Sequence, residues 1–472
     1  MMAMRKLLLA AVALSFALTA CDDDPADPGP DPEPGEAVIS ADITSNRTLH
    51  ADTTYTLRGF IHVQPPAVLT IEAGTTIQGD FDVLGSSLFI MRGARIQAVG
   101  TADEPIVFTS ARPVGQRQAG DWGGLIIVGN AVINKTGAVN LEGTGTLDNN
   151  NVFVNYGQGT NDADNSGELR YVRVEFAGFG PREGEELNSF TFAGLGSGTQ
   201  LSYLQSLSGL DDSFEWFGGT VDAKYLVSYK SGDDHFDMSE GFRGRLQYII
   251  ALQPSTQPSI RAGAGNTSGD PVGIENDGCD GANCADGHDS EPLNIPLVAN
   301  FTLVGTGSGT WVDGTGSGGY GMVLRRGTGG YYVNGVIARW PRGAIGIRDA
   351  GTQTRIDDGD FILRNVLVAA DNAALFQPGQ LVIDAGANNI AQVAENTSAL
   401  FTAVPLAPAN AQALDFTPPP GSSAVAGGLA AFTGDLAAKA GAFVLGTAFR
   451  GAAPTAGADV QWWAGWTNYA EN

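Results

Sequence analysis

From about residue 37 onward the chain alternates short apolar runs with turns rich in glycine, aspartate and asparagine. Clear runs are 68–71, 88–91, 106–109, 125–128, 169–176, 201–207, 224–229, 246–252, 301–304, 321–324, 331–337 and 362–368. Each is strand-length, and their residues are those that favour a pleated, half-buried surface. Helical periodicity is confined to the first 20 residues and to a stretch near 371–403, where alanine and asparagine dominate. The pattern predicts an all-β protein.

The runs also repeat. Tyr203, Tyr225 and Tyr248 open similar runs at intervals of 22 and 23, and Asn300, Asn334 and Asn365 open others at 34 and 31. A step of about 22 residues suits one coil of a parallel β-helix, in which coils stack and inward apolar residues form a continuous core. Longer steps mark inserted loops, the largest expected at about 255–296. Asparagine at one place in each coil is expected to form a ladder, its amide pairing with turn backbone. A β-sandwich with coincidental spacing is the competing architecture.

Residues 70–77 (TIEAGTTI), 100–109 (GTADEPIVFT) and 121–125 (DWGGL) resemble the opening coils of secreted bacterial right-handed parallel β-helix proteins, the pectate-lyase-like solenoids. Residues 211–221 and 233–247 are similar to the same group, as are the closing GSSAVAGG and WWAGWT. The resemblance spans roughly 55–472 and implies a fold without an assigned activity.

The N-terminus changes the picture of where this solenoid resides. Residues 1–20 carry Arg5 and Lys6 and then an apolar run too short to span a bilayer, the layout of a signal peptide. The run ends LTA-Cys21, which resembles a bacterial lipobox and makes Cys21 the expected lipid acceptor. Residues 21–36, acidic and proline-rich, read as an extended tether, leaving 37–472 as the β-helix domain with an end-cap at about 400–472. The expected location is the cell envelope, lipid-anchored, at the outer membrane on its periplasmic or cell-surface side. An aspartate run after the lipidated cysteine resembles surface-export signals in some lineages and inner-membrane retention signals in others.

With 26 bases and 51 acids the net charge is −25. Loss of residues 1–20 removes two bases and makes it −27. Such a chain repels phosphate backbones, so nucleic acid is excluded as a partner, and divalent cations are favoured. Polysaccharide or a surface protein remains as a partner. Cys279 and Cys284, five apart, read as a local disulfide in an oxidising compartment, with a metal clip as the alternative.

Candidate chemistry concentrates in acids. Asp211 and Asp233 are 22 apart, as are Asp212 and Asp234, so a coil of that length stacks them about 5 Å apart. Together with Glu215 and Asp237 they make a candidate Ca²⁺ site, since calcium takes six to eight oxygens and stacked carboxylates repel unless a cation bridges them. A solvated acidic turn face is the alternative, neutralised in part by Lys224, Lys230, Arg243 and Arg245. If the protein is an enzyme, Asp211, Asp212, Asp233, Asp234 and Arg243 are the catalytic candidates, with Lys230 or His235 as other bases. Calcium-dependent polysaccharide lyases of this fold need a metal and a base, and its hydrolases need paired aspartates.

A second acidic patch, Glu275, Asp277, Asp280, Asp286, Asp289 and Glu291, surrounds the cysteine pair and reads as a stapled surface loop or a second calcium loop. The GxGxxG at 314–319 lacks a following helix and reads as a plain loop. Trp122, Trp216, Phe217, Trp311, Trp340, Trp462, Trp463 and Trp466 read as core or end packing, or else as a sugar-stacking surface. The leading functional expectation is a non-enzymatic binding or adhesion module for glycan or another macromolecule. A carbohydrate-active lyase or hydrolase, and a structural envelope protein, are the alternatives.

Overall fold

A computed structural model describes residues 35–472 apart from 146–150, 183, 270, 313–317, 407–413, 458–459 and 471–472. The signal segment, Cys21, nearly all of the tether, and Gly314 and Gly316 lie outside the described residues.

The chain winds as a parallel β-helix. Each coil contributes one short strand to a nine-stranded sheet running from Phe60–Val63 to Gly343–Ile347, and one longer strand or strand pair to a second sheet of 17 strands. Every pairing between these strands is parallel, as in Phe190–Leu195 beside Phe214–Gly219 and Gln200–Leu207 beside Asp222–Tyr229. Alternation explains the burial. In Phe214–Gly219, Phe214 and Trp216 point into the core while Glu215 and Phe217 point out. Inside, residues of one type stack: Phe190 on Phe214 at 4.9 Å and Phe214 on Phe236 at 5.3 Å.

The tyrosine and asparagine repeat marks a bend. Tyr171, Tyr203, Tyr225, Tyr248, Asn300, Asn334 and Asn365 all have φ between 51° and 63°. They sit in one register position, where the long strand turns a corner. Asparagine tolerates this left-handed conformation, whereas tyrosine does so at a cost. Stacking offsets that cost: the Tyr171–Tyr203, Tyr203–Tyr225 and Tyr225–Tyr248 rings lie 4.3, 4.5 and 5.2 Å apart. The asparagine amides turn to the C-terminal segment rather than to a ladder of their own. Asn300 donates to Thr447 Oγ1 (2.8 Å), Asn365 donates to the Gly427 carbonyl (2.8 Å), and Asn334 Oδ1 accepts from the Leu429 amide (2.6 Å).

Those contacts place the expected end-cap. The described residues between 414 and 470 run back along the corner as a strap, reaching from Asn365 to Trp466, which packs edge-on against Tyr171 and Tyr203 at 5.7 and 6.2 Å. The C-terminal end of the core is instead covered by residues 372–390, through Leu375, Phe376, Leu381, Ile383 and Ala385, and by Ile356 of the helix Ala350–Asp358. The stretch 371–403 holds one short helix, Thr397–Leu400. Before it, Asp384 accepts the Ala387 amide and Asn388 donates back to the Asp384 carbonyl, local bonds that compete with helix.

The inserted region 255–296 is two loops around a strand, Ile274–Asp277, that belongs to the nine-stranded sheet. A disulfide joins Cys279 and Cys284, with Cα atoms 5.7 Å apart. A further insertion at 129–166 covers the outer face of the nine-stranded sheet through Ile133, Val139, Leu141, Val154 and Tyr156. The disulfide loop braces it, as Asn283 bonds both Thr136 and Ala138.

Candidate functional site

The acid-rich turns lie where the long strands end and the short strands begin. Strand pairing sets the stack: Leu207 opposes Tyr229 on one side of the turn and Glu215 opposes Asp237 on the other. Residues 208–213 therefore overlie 230–235. The Asp234 amide donates to Asp212 Oδ1 at 2.8 Å, across 22 residues.

Two sets of carboxylate oxygens converge. Asp211, Asp212 and Asp233 place oxygens within 4.8 Å of one another, and so do Asp212, Glu215 and Asp237. Asp212 and Glu215 are buried, while Asp211, Asp233 and Asp237 keep partial exposure. Asp234 joins neither set: its carboxylate accepts the Val272 amide at 2.6 Å. Burial pushes the Asp211, Asp212, Glu215 and Asp237 carboxyls far above their usual range, and the neighbouring carboxylates push them further.

Two participants carry no periodic signal. Glu142, from the insertion, hydrogen-bonds to Glu215 and Asn188, and burial followed by the Glu186 charge pushes its carboxyl up to about 8. Asn188 is 1% exposed, donates its amide to Glu215, and leaves its Oδ1 without a partner. Asp237 Oδ1 is likewise buried without a partner. Extending the Phe190–Phe214 register by two residues sets Asn188 beside Asp212, a relation visible only once the strands are aligned.

Above Asp211 and Asp233 opens a groove of about 680 Å³, lined also by Pro181, Arg182, Glu186 and Asn266. The basic candidates lie elsewhere. Arg243 sits beyond the far end of the short strand, in a two-pronged pair with Asp162 at 3.0 Å. Lys230, 5% exposed, lines a separate pocket of about 310 Å³ with Arg117. His235 is 1% exposed, its Nδ1 is bonded to Ser228 Oγ, and burial pushes its imidazolium pKa down to about 3. Arg182, which pairs with Glu185 at 3.1 Å, is the basic residue on the groove wall.

The second acidic patch is answered by arginine. Arg325 pairs with Glu275 and, at 2.9 Å, with Asp277; Arg326 pairs with Asp277 at 2.6 Å and Asp280 at 3.2 Å; Arg355 pairs with Asp289 at 2.8 Å. Trp122, Trp216, Trp340, Trp462, Trp463 and Trp466 are all buried in core or strap packing. A solvent-facing sugar platform is therefore not built from them.

A family model described as pectate-lyase like beta helix domain matches residues 41–404. No curated protein and no solved structure matches.

Proposed function

Because the chain belongs to the pectate-lyase-like β-helix domain family, we propose that it is a lipid-anchored, extracytoplasmic module that binds glycan in the groove over Asp211 and Asp233, braced by calcium. A β-helix of this family fits a carbohydrate-related extracellular role. The lipobox-like LTA-Cys21 and the acidic tether support attachment at the outer membrane, with the solenoid outside the cytoplasm. The observation that carries the reading is the convergence of buried, mutually repelling carboxylates at the floor of a solvent-open groove. Such a cluster calls for a cation, and oxygen-only ligands suit calcium. A calcium ion at the floor has coordination positions left for sugar hydroxyls or carboxylates.

The absence of Arg243, Lys230 and His235 from this floor favours binding over catalysis, since each has contacts elsewhere. One observation favours β-elimination as a second reading: Arg182 stands on the groove wall as a positioned base.

The test is binding of the purified protein to a glycan array with calcium and with chelator. Calcium-dependent retention, lost in Asp233→Asn, is expected. Equal retention with chelator, or none on any glycan, would overturn the reading. Ultraviolet absorbance of unsaturated product from pectate or alginate, abolished in Arg182→Ala, would replace it with the lyase.

A further inference from the structure

We propose that the acid cluster is a dinuclear cation centre in which Asp212 bridges an outer ion, held with Asp211 and Asp233, and an inner ion, held with Glu215 and Asp237. The inference deepens the cation-binding part of the proposed function and does not depend on the glycan.

Two observations lead there. The two converging sets share one residue, Asp212, and a carboxylate has two oxygens with which to serve two ions. On the next rung, Arg325 and Arg326 engage Glu275, Asp277 and Asp280.

The independent pointer is the polar atoms left over. Asn188 is enclosed, with its amide against Glu215 and its Oδ1 unpartnered, and the Asp237 Oδ1 is enclosed and unpartnered as well. A buried carbonyl or carboxylate oxygen without a donor is costly, and an inner ion satisfies both. Glu142, which hydrogen-bonds to Glu215 and Asn188, belongs to the insertion 129–166. The inner ion thus ties that insertion to the sheet. The outer ion, between the partly exposed Asp211 and Asp233, faces the groove. The two ions divide the work: one fastens the cover, the other meets the ligand.

Calcium stoichiometry of the chelator-stripped protein, by isothermal titration with elemental analysis, tests this. Two ions per chain are expected. Asp211→Asn and Asp233→Asn each leave one, Glu215→Gln leaves one, and Asp212→Asn weakens both at least ten-fold. Protease cleavage within 129–166 separates the sites: calcium slows it in Asp211→Asn as in the unsubstituted protein, and fails to slow it in Glu215→Gln. Asp211 is on the groove lip, so its variant keeps the test alive if a more buried variant does not fold. One ion per chain in the unsubstituted protein, or a Glu215→Gln variant that keeps both ions, overturns the proposal. Two ions with no glycan retention would sink the glycan reading alone.

Discussion

Two rows of residues run along this solenoid, and both repeat something unfavourable from one coil to the next. One is the row of left-handed corners from Tyr171 to Asn365. The other is the row of acidic turns and rungs from Asp211 to Asp277. The corner row is answered from within the chain: rings stack, and the strap supplies donors and acceptors to Gln205, Gln247, Asn300 and Asn334. Arg325 and Arg326 answer the acidic row at its Asp277 end. On the proposed function, cations from outside the chain complete the acidic row as the strap completes the corner row.

The largest effect is expected where the corner row is closed. Trp466 is 1% exposed, packs on Tyr171 and Tyr203, and offers its backbone carbonyl to Arg173 at 2.7 Å. Trp466→Ala should cost roughly 3–5 kcal/mol in urea unfolding, with or without calcium. A cost below about 1 kcal/mol would mean that the strap only decorates the corner.

Next in size is a change of sign on the acidic row. Asp237 is a partly exposed carboxyl that burial and then its acidic neighbours push far above the usual range, so without a cation the native state gains from losing it. Asp237→Asn should raise stability by about 1–2 kcal/mol in chelator and lower it by a similar amount in calcium. The same direction in both conditions would show that the row needs no outside partner.

A smaller effect separates strain from stacking at the corners. Tyr225→Asn relieves the left-handed cost and removes two ring stacks, at 4.5 and 5.2 Å. A net loss of roughly 1 kcal/mol is expected, since each aromatic pair contributes about 0.5–1.5 kcal/mol. Tyr225→Val should cost more, because a β-branched residue at φ 63° gains nothing in return. If the asparagine variant is more stable than the natural chain, the tyrosine stack is not what holds the corner.

What could be read from the sequence divides along the same line. The long strands stand out as apolar runs, because residues such as Leu204, Leu226 and Ile249 face the core and Leu207, Tyr229 and Leu252 face the strap. The tyrosine and asparagine spacing, a direct print of the corner, gave away the coil length. Much of the nine-stranded sheet stayed hidden. Phe214–Gly219, Asp237–Ser239 and Ile274–Asp277 read as turns because Glu215, Asp237, Glu275 and Asp277 interrupt them. The strands that bear the site were the hardest to see, since the acids that make it break the apolar pattern. Stacking of Asp211 with Asp233 followed from the repeat. Glu142 did not, as the insertion 129–166 brings it in at no fixed interval, and Asn188 emerges as a neighbour of Asp212 only once the strands are aligned. Arg243 was grouped with the acids by nearness in sequence, yet the short strand carries it to the opposite turn, beside Asp162.

The smallest effect belongs to the strap and sharpens the contrast by pH. Lys439, in the helix Gly434–Ala440, donates to the Arg243 carbonyl at 2.7 Å. Burial first, and then the Arg243 charge, push its ammonium down from 10.5 to about 8. In the unfolded chain the amine keeps its proton up to 10.5, so between pH 8 and 10.5 the unfolded state binds more protons than the native one. Stability therefore rises with pH across that window, and the penalty is full and constant below it. Lys439→Met should be more stable than the natural chain by roughly 1 kcal/mol at pH 7, after loss of its hydrogen bond, and the gap should close as pH approaches 10.5. Run in calcium, where the acidic row is occupied, the comparison isolates the strap. A gap that changes with chelator instead would couple the two rows, and the strap would no longer count as a self-contained closure.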